Sequence, residues 1–338
     1  MPSSSAISLI SGQHEIPPEL AAGIERERVA RELGSQYQVV RELGRGGMGV
    51  VFLARDLALH RLIAIKVLRH ELMRVTEHRE RFLREARTTA RLSHPNIVSI
   101  FAFGETRSLL YFVMPYVHGE SLSTRIQRDG RLGWEETASV IASLALALDH
   151  AHREGVVHRD LKAENILVGG GGGGDESELA VLTDFGVSTL RSLDPSPADA
   201  KRAFGTPQYM SPEQAAGELD VDGRSDLYAL GVLAYLMLTG EMPFDGQSFT
   251  AIAAKHLTET PVAIDALAPE TPEWLVEVIG RCLAKDRLAR WRRGRDLHAA
   301  IMSRGSRGAR GGPGRSWAWI GRVLRALLRR SGVAVRVA

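Results

Sequence analysis

The segment Leu43-Gly44-Arg45-Gly46-Gly47-Met48-Gly49-Val50-Val51 spaces Gly44, Gly46 and Gly49 as G-x-G-x-x-G and then runs into Phe52-Leu53-Ala54. The residues after the glycines decide what the chain can fold into. A dinucleotide fold needs such a loop to open a helix; here a β-branched and aromatic stretch continues as a strand. The expectation is a glycine-tipped β-hairpin. Glycines let the backbone approach phosphate oxygens closely and donate N–H groups to them. A glycine-rich turn without a ligand is the competing reading of this segment alone.

The next strand narrows the choice. In Ala64-Ile65-Lys66 a lysine alternates with apolar neighbours, and an inward lysine is costly unless anions pair with it. Phosphates are one such anion, and Glu85, on the helical stretch RFLREARTTARL, is the natural carboxylate partner. Taken singly, Lys66 and Glu85 read equally well as solvated side chains; the glycine loop makes them informative. Strand patterns recur at YQVVREL, GVVFLAR, LIAIKVL, IVSIFAFG and LLYFVM, with one helical segment near Arg79 to Leu92. After Ser121 the pattern turns helical, at Thr137 to His152 and Asp226 to Thr239, with strand-like pieces at Val156 to Val157, Ile166 to Val168 and Leu179 to Leu182. This predicts an α+β chain of two lobes, a small β-rich one followed by a larger α-rich one.

Two loops in the second half carry reaction chemistry. HRDLKAEN at 158–165 gathers Asp160, Lys162 and Asn165, and TDFG at 183–186 adds Asp184 and a turn-permitting Gly186. Phosphoryl transfer to a hydroxyl needs a carboxylate to orient it and take its proton, a cation near the moving group, and oxygen ligands for Mg²⁺. Asp160, Lys162 and Asn165 suit those roles in that order, with Asp184 as a second metal ligand.

These four elements in this order resemble the protein-kinase signature set, and most of all the bacterial eukaryotic-type serine/threonine kinases. The resemblance covers about Tyr37 to Met302 and extends to HPNIV at 94–98, GTPQYMSPE at 205–213, SDLYALG at 225–231 and KDRLAR at 285–290. It implies a kinase domain over 37–302, with an N-lobe at 37–114, a hinge at 115–117 and a C-lobe at 118–302. It further implies ATP and Mg²⁺ as cofactors and proteins as substrates. Asp160 becomes the catalytic base, Lys162 its neighbouring cation, Lys66 the ligand of the α- and β-phosphates, Glu85 the partner of Lys66, and Asn165 with Asp184 the Mg²⁺ ligands. Leu43, Gly44, Arg45, Gly46, Gly47, Met48, Gly49, Val50, Val51 and Ala64 would surround the nucleotide. Met114 aligns as gatekeeper, and Pro115 and Val117 would offer adenine a carbonyl and an N–H. His158 is implied to be structural, Glu213 to pair with Arg290, and Asp226 to accept N–H groups from the catalytic loop. Lys162 together with Gly205-Thr206-Pro207 implies serine/threonine rather than tyrosine specificity.

The sequence departs from the family pattern in places. Arg159 would ordinarily meet an activation-loop phosphate, yet ADAKRAFG before Thr206 holds no hydroxyl; Asp199 could mimic the phosphate, or Ser188, Thr189, Ser192 or Ser196 could carry it. Ala163 replaces a usual Pro, and Ser211 stands where eukaryotic relatives have Ala. A pseudokinase scaffold would lack Lys66, Asp160, Asn165 or Asp184, and a small-molecule phosphotransferase would lack the GTPQYMSPE platform; all are present.

Composition places the rest. A chain that is 44% hydrophobic and 25% charged is globular. Residues 303–338 hold nine Arg and no acid, so the remainder carries 34 basic against 40 acidic residues, a net −6. The single cysteine, Cys282, excludes an intramolecular disulfide and reads as a core thiol; with no signal-peptide pattern, a cytoplasmic location is expected. Residues 1–36 form an N-terminal extension, Ser- and Pro-rich to residue 18 and then able to form a short charged helix over Glu19 to Leu33. Six glycines at 169–174 read as a flexible hairpin insertion. Residues 303–315 read as a Gly/Arg linker and 316–338 as a basic amphipathic tail, with Trp317 and Trp319 beside Ile320, Val323, Leu324, Leu327 and Leu328 at helical spacing. That tail could lie peripherally on an anionic inner membrane face, dock on a partner protein, or stay disordered. Nucleic-acid binding is not expected of the kinase domain, and the oligomeric state is left open.

Overall fold

The computed structural model describes residues 18–46, 49–73, 75–170, 178–185 and 206–308. Contacts divide it into two units: the residues up to Val75 with Ala102–Tyr116, and Thr76–Phe101 with the residues from Val117 onward.

The first unit is an antiparallel sheet. Its strands, β1 (Tyr37–Arg45), β2 (Gly49–Asp56), β3 (Arg61–Leu68), β4 (Ala102–Glu105) and β5 (Leu110–Pro115), lie in the order β1-β2-β3-β5-β4. The two-residue period of β2 and β3 puts Val50, Phe52 and Ala54 with Ile63, Ile65 and Val67 into one core. A preceding helix, α1 (Pro18–Leu33), closes that core with Val29 and Leu33, each nearly inaccessible. Burying each contributes about 1.5–3 kcal/mol. The charged helix expected over Glu19 to Leu33 is thus an integral part of this unit.

The second unit is helical: α2 (Thr76–Ala90), α3 (Leu122–Asp129), α4 (Trp134–Arg153), α5 (Pro212–Ala215), α6 (Arg224–Thr239), α7 (Phe249–Thr258), α8 (Ile264–Leu267), α9 (Glu273–Cys282) and α10 (Gly294–Gly308). A small antiparallel sheet, β6 (Glu120–Ser121), β7 (Ile166–Gly170) and β8 (Glu178–Leu182), accompanies them in that order. Leu227 to Leu238 of α6 are buried on every side, as a helix apolar all round must be. Cys282 is buried in the same core, where desolvation pushes its thiol up to about 12.

Three sequence expectations shift. IVSIFAFG was expected as one strand, but only Ala102–Glu105 joins the large sheet. Its first half pairs elsewhere: Ile97 bridges Leu182, whose carbonyl accepts the Val98 N–H at 2.9 Å, and Asn96 Nδ2 donates to the Ala180 carbonyl at 2.7 Å. These bonds tie residues 94–98 to the second unit, so α2 and the loop after it group there rather than with the 37–114 segment. Val156–Val157 forms no strand, and the N–H groups just after it go to the Asp226 carboxylate. Finally, α10 continues to Gly308, through the first six residues of the segment read as linker, with Arg304 paired to Glu277 on α9. Gly169 and Gly170 are paired strand residues of β7. The remainder of the glycine run and the segment 309–338 lie outside the described residues. Among those described, no helix is long and apolar enough to cross a membrane.

Candidate active site

In the first unit the glycine segment caps the β1–β2 hairpin, where the Gly46 N–H donates to the Gly49 carbonyl at 2.9 Å. Leu43, Gly44 and Arg45 end β1; Val50 and Val51 begin β2; Gly47 and Met48 lie outside the described residues. Lys66 sits opposite Val51 on one side and Phe112 on the other. It is buried, with Nζ 5.7 Å from the Phe112 ring centroid. A Cβ on Gly49 would lie 2.8 Å from the Val67 carbonyl oxygen, so only glycine leaves the start of β2 room against the β3 backbone beside Lys66. Arg45 is fixed by Glu42 and, across to α1, by Glu25, both at 2.8 Å. These two carboxylates hold its guanidinium well above the ordinary arginine range, the Glu42 hydrogen bonds most strongly. On the neighbouring strand, Ala64 pairs with Met114 and Ile63 with Pro115.

In the second unit, the loop after α4 carries Asp160, Lys162 and Asn165. Asp160 Oδ2 lies 2.9 Å from Lys162 Nζ, and Oδ1 accepts the Thr206 N–H at 3.4 Å. Asn165 closes a one-turn 3₁₀ segment (Ala163–Asn165) and donates Nδ2 to the Asp160 carbonyl at 2.9 Å, which leaves its amide oxygen as an acceptor. The Asn165 carbonyl in turn accepts from both N and Oγ1 of Thr183, one residue before Asp184. Arg159 (φ 63°) and Asp184 (φ 59°) both adopt left-handed backbone, strain that persists only where surrounding bonds impose it.

Asp226, at the start of α6, imposes it at Arg159. Fully enclosed, it accepts N–H groups from His158 and Arg159 at 2.8 Å each, and His152 Nε2 lies 2.7 Å away. Burial alone would raise this carboxyl, but the His152 hydrogen bond and the charges of His152 and His158 outweigh it and hold the group below its ordinary value. The His158 ring stands edge-on to Phe185, centroids 4.7 Å apart, and bonds the Thr183 carbonyl. Beyond the loop, Glu213 and Arg290 form a buried two-pronged pair at 2.7 and 2.8 Å, while Ser211 and Gln214 form a reciprocal capping box at the start of α5. Gln214 Nε2 also reaches the Arg159 carbonyl at 2.9 Å. Glu85 is buried on α2 of this unit. Gly186, Ser188, Thr189, Ser192, Ser196, Asp199 and Gly205 lie outside the described residues.

Residues 37–298 match the protein kinase domain family. The chain belongs to that family. It is 39% identical over 276 residues to the serine/threonine-protein kinase PrkC of Bacillus subtilis, a match spanning 81% of this chain and 41% of PrkC. It is 41% identical over 239 residues to the serine/threonine-protein kinase pkn3 of Myxococcus xanthus, spanning 70% of this chain and 43% of pkn3. The fold is similar to the crystal structure of the Mycobacterium tuberculosis PknI kinase domain, with a TM-score of 0.60 and 30% identity over 80% of this chain and 96% of that one. The chain thus spans about two-fifths of the length of the curated relatives it matches.

Several residues that hold these groups in place have no role that the sequence alone assigns. Thr183 lies within TDFG with no role of its own there, His152 is a single polar residue outside every motif, and the Thr206 N–H and the Gln214 amide act on the 158–165 loop from the platform. The burial of this domain's ionisable groups also sets its response to acid. Desolvation lowers His94 and His256 to about 4, helped by His150 and Arg153 beside the first and Lys285 beside the second. In an unfolded chain these rings titrate near pH 6.5, so as pH falls from there toward 4 the unfolded state takes up protons that the folded state refuses. Asp226 and Glu213, depressed when folded, stabilise at neutral pH and lose that contribution as pH falls through their folded values. Thermal melts should therefore show a Tm that is level near neutrality, declines below about pH 6.5 and falls more steeply below about pH 4.5. A Tm that rises on acidification would contradict these assignments.

Proposed function

We propose that the chain is a serine/threonine protein kinase that transfers the γ-phosphate of Mg·ATP to serine or threonine hydroxyls of proteins, itself included. The observation that supports this most is the Asp160 carboxylate, poised beside Lys162 in a loop whose backbone is anchored by Asp226. Asp160 orients the substrate hydroxyl and accepts its proton as the oxygen–γ-phosphorus bond forms and the bond to the β-phosphate oxygen breaks, releasing ADP. Lys162 offsets charge on the moving phosphoryl group. Lys66 holds the α- and β-phosphates under the glycine hairpin of Leu43 to Val51, and the Pro115 carbonyl and Val117 N–H hold adenine. Ala64 supplies apolar contact to the base.

Protein kinases use ATP with Mg²⁺, and the residues here fit that ion. Asn165 keeps an amide oxygen free of its own Nδ2 contact and Asp184 brings a carboxylate, the hard oxygen donors that Mg²⁺ takes alongside substrate phosphates. Lys162 and Thr206-Pro207 support serine and threonine as acceptors, and the tail at 316–338 would place the enzyme on an anionic membrane face. The deciding experiment is incorporation of labelled γ-phosphate from Mg·ATP by the purified chain, with mapping of the modified residues and Lys66→Met as control. Phosphoserine or phosphothreonine formed only by the unsubstituted chain is the expected result; phosphotyrosine alone, or equal transfer by Lys66→Met, would overturn the reading.

A further inference from the structure

Where α4 ends and α6 and α10 begin, the surface of the second unit has an open cavity of about 470 Å³. Asp160, Lys162, Asn165 and Asp184 are not among its walls. Four arginines, Arg153, Arg224, Arg292 and Arg293, line it against two carboxylates, Asp149 and Asp222. Both acids are already engaged. Asp149 accepts the Arg295 N–H through Oδ1 at 3.3 Å, and its Oδ2 is ion-paired with Arg153 Nε, also 3.3 Å away. Asp222 accepts the Arg224 N–H at 2.8 Å, and its other oxygen lies 4.0 Å from Arg224 Nε. The guanidinium groups of Arg292 and Arg293 are exposed and have no ion-pair partner among the described residues. The cavity therefore has a surplus of two positive charges, and the N-terminal ends of α6 and α10 add to it.

Its inner wall is fixed. A Cβ on Gly223 would fall 2.4 Å from His152 Nδ1, so backbone and imidazole are in contact with no room for a side chain. The far nitrogen of the same ring bonds Asp226, which holds the His158 and Arg159 N–H groups. One side chain thus separates this cavity from the backbone of the catalytic loop.

We propose that this cavity is a binding site for a phosphate monoester dianion, seated on Arg292 and Arg293 against the His152 wall. A surplus of two charges matches the roughly −1.5 to −2 of such a group near pH 7, and guanidinium forks match its oxygens two at a time, which a single carboxylate would not balance. The volume admits more than the phosphate itself, so the group can arrive on a small molecule or on a phosphorylated serine or threonine of a protein.

The test is calorimetric titration of the full chain at constant ionic strength with inorganic phosphate, with O-phosphoserine, and with a short phosphoserine peptide beside its unphosphorylated form. Histidine ring resonances followed by NMR report occupancy at His152. Saturable binding that moves the His152 signals, and that weakens about 10-fold or more in Arg292→Ala/Arg293→Ala, is expected. Arg292→Lys/Arg293→Lys, which keeps charge and loses the forks, should fall between. Equal affinity for phosphate and phosphopeptide identifies a small-molecule ligand, and about 10-fold tighter peptide binding identifies a protein phosphate. No saturation by any probe, or unchanged affinity in the double alanine variant, overturns the proposal. Each result is read without γ-phosphate transfer, so it stands apart from the outcome of the kinase assay.

Discussion

Replacing Asp160 by Asn should lower kcat by on the order of 10²- to 10⁴-fold while leaving the affinity for ATP nearly unchanged. The substitution preserves shape. The amide oxygen can still accept either from Lys162 Nζ, 2.9 Å from Asp160 Oδ2, or from the Thr206 N–H, 3.4 Å from Oδ1, though not from both. The loop backbone is held independently through the bonds from His158 and Arg159 to Asp226. What the variant loses is the charge that orients the acceptor hydroxyl and the basicity that takes its proton. A loss of that size corresponds to about 2.7–5.5 kcal/mol of transition-state stabilisation. It stays below total inactivation because positioning and electrostatics supply most of phosphoryl-transfer catalysis. Steady-state rates with a peptide substrate, set beside ATP binding measured by calorimetry, separate the two effects. A kcat within about threefold of the unsubstituted chain would remove Asp160 from its assigned role, whereas a parallel collapse of ATP affinity would point to a structural one.

Much of this site was legible because its chemistry is carried by rare residues in short fixed spacings. Lys66 on a strand after a glycine hairpin and Asp160, Lys162 and Asn165 within six positions each demand an explanation that solvated surface does not give. Even the Glu213–Arg290 pair and the anchoring of the loop by Asp226 followed from the resemblance and are present in the structure. What stayed hidden has a common physical cause. Thr183, His152 and Gln214 act through hydrogen bonds to backbone or carboxylate groups distant in sequence, and no local periodicity records such bonds. The same holds for IVSIFAFG, whose β-branched composition fits a strand everywhere. Tertiary bonds from Asn96 and Val98 to the Ala180–Leu182 strand claim its first half, leaving only Ala102–Glu105 to the large sheet. The helix running through Gly308 was masked by glycine and arginine content that reads as linker, although contact with Glu277 supports it.

Arg290→Met should destabilise the fold by about 3–5 kcal/mol, because it leaves a buried carboxylate without its partner. Arg290 is fully enclosed and spends its whole guanidinium on the protein. Nε donates to the Ala284 carbonyl at 2.7 Å; Nη1 to Glu213 and to the Arg224 carbonyl at 3.3 Å; Nη2 to Glu213 and to the Lys285 carbonyl at 3.0 Å. Five donors meet five acceptors, the most the side chain can make. Methionine fills the volume and satisfies none of them. At about 2–4 °C per kcal/mol for a domain of this size, Tm should drop by roughly 6–20 °C. Arg290→Lys keeps the charge and loses the fork, so it should fall between the two. Pairing Arg290→Met with Glu213→Leu removes the orphaned carboxylate and should recover part of the loss, since a well-packed apolar pair can replace a buried ion pair. The consequence for activity runs through α5. Glu213 stands in its first turn beside Ser211 and Gln214, and Gln214 grips the Arg159 carbonyl next to Asp160. Loss of the ion pair should therefore raise KM for protein substrate and lower kcat even at temperatures where the variant stays folded. A Tm within about 2 °C of the parent would show that the pair is not needed for stability. Normal kinetics in a destabilised but folded variant would show that α5 holds the catalytic loop without it.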